Sequence, residues 1–309
     1  RADALVAFAD ALLTGAGVTA LIQSSTATTV MLIGFVQAGL LTFHQAMGVI
    51  LGADIGTTLT VQLLAFKIYD YALLLVGLGF GTLFFAKRRV FKDLGQALLG
   101  FGLIFLGLRL MIEGMEPLKD SALVGQVLLA FAETPILGVA AAAVFAAVVA
   151  SSAATIGLAI ALASHGLLPL DGAVSLVLGA NIGTCASALA ASLGSTTDAR
   201  RVAVAHIRFK ILGAALVLPF LEPFAALAGW SAHDPARQIA NAHTLFNVGI
   251  SLVFLPFQGP AARIITGLVP ERPEEETRFK TRYLDERFAD QPSLAIGQAT
   301  REALRMADI

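Results

Sequence analysis

Charged side chains are scarce. Asp, Glu, Lys and Arg make up 14% of the 309 residues, where an ordinary globular chain carries about 25%. A soluble domain of this length needs more polar surface than that, so a soluble helical protein with a greasy core is the weaker reading. The net charge is −1, which gives no basic bias toward nucleic acid. Cys185 is the single cysteine and excludes an intramolecular disulfide. No nucleophile–base pair and no metal-ligand cluster stands out in the apolar stretches, so no catalytic residue and no transition-metal site is assigned. A membrane-embedded enzyme is accordingly the least supported class. Arg1 is not a natural start, so the N-terminus reads as trimmed, and no signal peptide is visible.

What the chain has is apolar length. Hydrophobic residues reach 57% and the mean hydropathy is +0.79. Several segments approach or exceed the ~20 apolar residues that cross a bilayer. Residues 5–22, 30–41, 68–86, 94–112, 202–221 and 239–257 read as apolar helices, and 136–168 and 172–193 as longer apolar stretches with polar motifs inside them. Residues 46–66 read as a helix interrupted at Gly52–Thr58, and 114–134 as a surface helix. The expected class is an all-α polytopic membrane protein. Lys87, Arg88, Arg89 and Lys92 form a short basic loop, which the positive-inside rule places in the cytoplasm. Residues 271–309 are dense in charge and read as a solvated tail, helical around 292–307, on the same side.

Two polar runs organise the chain. Gln23-Ser24-Ser25-Thr26-Ala27-Thr28-Thr29 returns, altered, as Ala150-Ser151-Ser152-Ala153-Ala154-Thr155. Ser24 to Ser151 is an offset of 127, and so is Gly52 to Gly179. In that register Gly39-Leu40-Leu41 recurs as Gly166-Leu167-Leu168, and Gly52-Ala53-x-Ile55-Gly56-Thr57 as Gly179-Ala180-x-Ile182-Gly183-Thr184. Chance likeness between apolar helices would match Leu and Ala, not Ser-Ser. Matched interruptions in two halves of a membrane chain point to a site at the repeat interface, and such repeats are often inverted.

The chemistry of that site follows from what the runs contain. A helix that starts inside the membrane exposes unpaired N–H groups, and with its dipole it favours an anion. Ser24, Ser25, Thr26, Ser151 and Ser152 add hydroxyl donors around a tetrahedral oxyanion, phosphate first among candidates. Neither run holds Lys or Arg, so the anion's charge calls for a companion cation. Na+, a hard ion that wants oxygen, suits Gln23, Thr28, Asp54, Thr57, Thr58, Thr155, Asn181 and Thr184. Asp54, whose counterpart is the neutral Asn181, is either a ligand or proton carrier, or the N-cap of a wet helix end. For either serine run alone, helix packing is the plainer role; recurrence in register favours substrate contact. The glycines of the second motif could be small-residue contacts only. Arg109 and Glu113, four apart, read as an interfacial ion pair worth little. His206 and His243 open a weaker echo, Ala205-His206-x-x-Phe209-Lys210 and Ala242-His243-x-x-Phe246-Asn247, for which a structural hydrogen bond is the plainer role.

These motifs, together with Ile239-Ala240-Asn241-Ala242-His243-Thr244-Leu245-Phe246-Asn247, resemble the type II sodium/phosphate cotransporter family, above all its bacterial branch with a PhoU-like C-terminal region. The resemblance implies Na+-coupled phosphate symport by alternating access through two inverted repeats with re-entrant hairpins, whose Gln-Ser-Ser motifs line the phosphate and Na+ sites. The chain departs from the family pattern in four ways. Ala150 stands where Gln is usual, and Asp54 where Asn is usual. The first repeat lacks an opening helix like Gly107–Leu118, and the tail stops just inside the PhoU-like region.

The expected organisation is a first repeat over 1–113, a second over 114–270 and a cytoplasmic tail over 271–309, in the bacterial inner membrane. The expected partners are inorganic phosphate, Na+ and the lipid bilayer, with a homodimer left open. Two other readings remain: a Na+-coupled carrier of arsenate, sulfate or a carboxylate, and a sensor or adaptor whose membrane part controls the tail.

Overall fold

The computed structural model describes residues 2–118, 121–271 and 292–307. It divides into residues 1–268 and residues 269–309. In the second unit only one helix, α15 (Pro292–Ala307), is described, so most of the expected charged tail lies outside the described residues. Every regular element described is helical.

The chain opens with a broken pair, α1 (Ala2–Ile22) and α2 (Ser25–Gln37), followed by the long α3 (Phe43–Leu64). The same order returns 127 residues later as α7 (Pro135–Val149), α8 (Ser152–Ser164) and a span made of α9 (Leu170–Gly183) and α10 (Cys185–Ala191). Between the two sets lie α4 (Ala72–Phe85), α5 (Arg89–Met115) and α6 (Ala122–Glu133). After them come α11 (Thr197–Val217), α12 (Leu221–Trp230), α13 (Pro235–Phe254) and α14 (Gln258–Leu268). Among the described residues six helices are long and apolar enough to cross a membrane, or seven if α6 and α7, bent by 112°, form one broken span. The protein is an all-α polytopic membrane protein.

Local sequence sets the joints. α2 and α8 each end at a glycine in the left-handed region, Gly39 at φ 72° and Gly166 at φ 70°. The N–H of Leu40 then reaches the carbonyl of Phe35, and that of Leu167 the carbonyl of Leu162, which closes both helix ends with the same wrap. Thr42 caps α3 reciprocally with Gln45.

Lipid tails give apolar helices no reason to prefer one another, so close approach through small residues has to hold them together. α1 and α3 meet where Gly52 and Gly56 lie on the Leu12 and Ala16 carbonyls. α7 and α9 meet where Gly179 and Gly183 lie on the Val139 and Ala143 carbonyls. The two contacts of the first pair return as the two of the second at the offset of 127. The recurrent glycines are therefore packing points. The expected interruption at Gly52–Thr58 does not exist: α3 runs through it unbroken, and α9 and α10 stay one span past Thr184. α3 and the α9–α10 span are mostly buried inside the protein, whereas α4 and α5 pair with each other and turn most of their apolar surface outward. Arg109 and Glu113 form the expected exposed pair, at 2.7 Å.

Candidate functional site

Both serine runs sit at a helix break, and the two breaks are the same structure. Gln23 and Ala150 occupy the left-handed region at φ 62° and 54°. That conformation is uncommon for a residue with a Cβ and marks a held geometry. The next residues, Ser24 and Ser151, are extended, with φ −147° in both and ψ 105° and 115°. Each is an N-cap: its Oγ accepts from the backbone N–H of Ala27 or Ala154 at 3.1 Å. Thr28 donates to the Ser24 carbonyl at 3.0 Å, and Thr155 to the Ser151 carbonyl at 2.9 Å.

This geometry separates the two serines of each run. Ser24 and Ser151 use a hydroxyl lone pair to hold the break and keep their O–H to donate. Ser25 and Ser152 are buried, and their hydroxyls bond nothing among the described residues. Half-buried Thr26 is likewise unbonded. The N–H groups of the first helical residues, Ser25 and Thr26 in one copy and Ser152 and Ala153 in the other, have no carbonyl four residues back to bond within their helix. Thr29, one turn after Ser25, is buried with a partnerless hydroxyl. Sequence reasoning assigned it no role, although the spacing from Ser25 puts it on the same helix face.

The first break is tied to its surroundings through Gln23. Its Nε2 donates to the Ala20 carbonyl. Its Oε1 accepts from Thr60 Oγ1 of α3 at 2.8 Å. Thr19 of α1 donates to Thr28 Oγ1 at 2.9 Å. The second break has no such tie, because Ala150 carries no amide.

Asp54 and Asn181 come together at a different place. Asp54 is buried in the middle of α3, which excludes the N-cap reading. Lys210 of α11 reaches Asp54 Oδ2 at 2.9 Å, Asn181 Oδ1 at 2.8 Å and Asn247 Oδ1 of α13 at 2.6 Å. His206, one turn earlier on α11, lies 3.3 Å from Asp54 Oδ1. The expected structural hydrogen bond of His206 is therefore made to Asp54, while His243 Nδ1 is buried without a partner. Lys210 and Asn247 were not among the expected site residues. The echo that contains them marked the two helices but not what faced them. Thr57, Thr58 and Thr184 return their hydroxyls to carbonyls of their own helices.

α2 packs against α10 and α11, whereas α8 packs against α3 and α13. Each hairpin therefore meets the α3-type helix of the other copy. A polar bridge marks the second of these regions. Gln62 of α3 donates to Asn241 Oδ1 at 2.9 Å and to Thr244 Oγ1 at 3.0 Å, and its Oε1 accepts from Arg237 at 2.8 Å. Arg237 also lies 4.0 Å from the Phe66 ring centroid.

Comparison with known proteins gives a concordant picture. Residues 7–113 and 110–257 match the Na+/Pi-cotransporter family. Over 296 residues the chain is 33% identical to a protein of Escherichia coli named "Putative inorganic phosphate export protein YjbB", covering 95% of this chain and 54% of that one. The protein of that name from Salmonella typhimurium is equally similar. The protein YqeW of Bacillus subtilis, of uncharacterised function, is 36% identical over 220 residues, 71% of either chain. The chain spans about half the length of the phosphate-export relatives it matches. No solved structure matches it.

Proposed function

The chain belongs to the Na+/Pi-cotransporter family, and on that premise we propose that it carries inorganic phosphate across a bacterial inner membrane by alternating access. The observation that carries this reading is the duplicated break. Two helix starts share their dihedrals and caps, and each keeps a buried serine with an unbonded hydroxyl, Ser25 in one and Ser152 in the other. Such starts offer N–H and O–H donors to a tetrahedral oxyanion without a fixed positive charge, so the anion can be released again. Ser25, Thr26 and Ser152 contact phosphate. Ser24 and Ser151 hold the shape that makes this contact.

The repeats, over 1–113 and 114–270, are inverted relative to each other, and the tail over 271–309 is cytoplasmic. Na+ accompanies the anion on oxygens near the breaks: Gln23, Thr28 and Thr155, with Thr57, Thr58 and Thr184, whose hydroxyl oxygens keep lone pairs free after bonding their own helices. The name of the Escherichia coli relative favours outward movement of phosphate.

The test is radiolabelled phosphate flux in proteoliposomes, measured in both directions, with and without a Na+ gradient. Saturable flux stimulated by Na+ is expected, and phosphate should outcompete sulfate and carboxylates. Flux no faster than in empty liposomes, under every gradient, would end the reading.

A further inference from the structure

Asp54 and Asn181 were expected to hold Na+, and in the structure each faces the ammonium of Lys210. Lys210 Nζ lies 2.6–2.9 Å from three oxygens on three helices: Asp54 Oδ2, Asn181 Oδ1 and Asn247 Oδ1. An ammonium has three hydrogens to donate, and all three find an acceptor here. Both amides are fixed with the oxygen inward, because Asn181 Nδ2 donates to the Val177 carbonyl and Asn247 Nδ2 to the His243 carbonyl, each at 2.9 Å. One carboxylate and two amide oxygens, buried and pre-oriented, form the kind of oxygen set that a hard cation takes. Asp54, Lys210, Asn181 and Asn247 are all 6% exposed or less.

The sequence offsets add a second argument. Asn181 is the counterpart of Asp54 at 127 residues, and Asn247 is the counterpart of Lys210 at 37. The four residues are thus two duplicated positions facing each other. In each pair one member is an amide and the other a charge, and the two charges are opposite. A single replacement would leave an uncompensated charge in the bilayer.

We infer that this cluster is a cation seat filled by the chain's own ammonium: Lys210 stands where a carrier of this build would otherwise need Na+. The inference rests on the transport reading for its consequence, which is that each phosphate moved draws on one fewer Na+. Such a carrier is less tied to an inward Na+ gradient, which favours outward movement of phosphate.

The experiment is Na+-dependent thermal stability of the purified full chain in detergent, with choline chloride holding ionic strength constant. Lys210→Met is expected to gain a Na+-selective rise of several degrees in melting temperature beyond that of the parent chain. Lys210→Met with Asp54→Asn is expected to lose that gain. Asp54→Asn alone, with the ammonium still in place, is expected to keep the parent's response to Na+. Equal Na+ responses in Lys210→Met and the parent would overturn the inference. So would recovery of Lys210→Met by Asp54→Asn but not by Na+, which marks a purely structural ion pair, or loss of the parent's Na+ response in Asp54→Asn. Phosphate flux is measured separately. A chain that moves no phosphate but shows the expected melting shifts keeps the seat and loses the transport reading; the reverse result does the opposite.

Discussion

Thr60 of α3 donates its hydroxyl hydrogen to the side-chain oxygen of Gln23 across the first helix break, at 2.8 Å. This latch ties the left-handed residue of the hairpin to the helix that crosses beside it. In the second copy the counterparts at the same offset are Ala150 and Ser187. Ser187 is half-buried, and its hydroxyl bonds nothing among the described residues. The acceptor is missing while a donor of the same kind remains.

Ala150→Gln therefore rebuilds the latch. The new amide enters a backbone already in the conformation that Gln23 adopts, and Ser187 supplies the hydroxyl. We expect a gain of about 0.5–1.5 kcal/mol, the net worth of one hydrogen bond. The measurement is thermal or denaturant unfolding in detergent for Ala150→Gln, Ser187→Ala and the two combined. The gain should vanish in the combination. Additive effects of the two changes would mean that the amide and the hydroxyl do not meet.

The two serines of each run should behave differently. Ser24→Ala or Ser151→Ala removes an N-cap and should cost ~0.5–2 kcal/mol of stability. Ser25→Ala or Ser152→Ala removes a hydroxyl that bonds nothing within the chain, so the fold should keep its melting temperature. Phosphate flux should fall at least tenfold, because a buried donor to the anion is gone. Parallel melting curves and flux assays separate the two classes. Full flux in both Ser25→Ala and Ser152→Ala would remove these hydroxyls from the anion's path.

The contrast between the two serines explains which parts of the molecule were legible from residues alone. The break positions were readable because Ser-Ser recurs in register, and Gly39 and Gly166 were visible as a recurrent Gly-Leu-Leu but not as left-handed turns. The left-handed Gln23 and Ala150 carry no such mark; their conformation follows from the chain reversal and not from their side chains. Asp54 was visible as a charge inside a span. Its partner was not, because Lys210 lies 152 to 156 residues away with His206, and spacing along one helix does not tell which other helix it faces. Thr60 and Gln62 look like ordinary polar residues of a helix until the opposing surface is placed. The repeat revealed what is duplicated, whereas the pairings that break the duplication needed coordinates.

Gln62 uses its whole amide, two donated bonds and one accepted, to join α3 to α13. Gln62→Leu keeps the volume and removes all three. Arg237, Asn241 and Thr244 then lose a partner in a partly buried setting, which should cost about 1–3 kcal/mol. Unfolding in detergent measures it. Hydrogen exchange at the start of α13 should rise more than at α4, which lies outside this network. Unchanged exchange at α13 would show that water replaces the amide without loss.

The glycine contacts give the sharpest separation between packing and chemistry. A Cβ at Gly52 collides with the Leu12 carbonyl, and one at Gly179 with the Val139 carbonyl. These are backbone atoms and cannot rotate aside, so α1 and α3, or α7 and α9, must move apart. Gly52→Ala and Gly179→Ala should each lose at least ~1–3 kcal/mol, the ordinary cost of overpacking. Gly77→Ala is the control: nothing lies within 4 Å of its Cβ position, and alanine is the better helix former. It should be neutral or slightly stabilising. If the glycines served the substrate instead, Gly52→Ala would keep its melting temperature and lose only flux. Equal loss of stability at both copies, with Gly77→Ala unharmed, would assign the second motif to holding the helices together and leave the anion to the serine breaks.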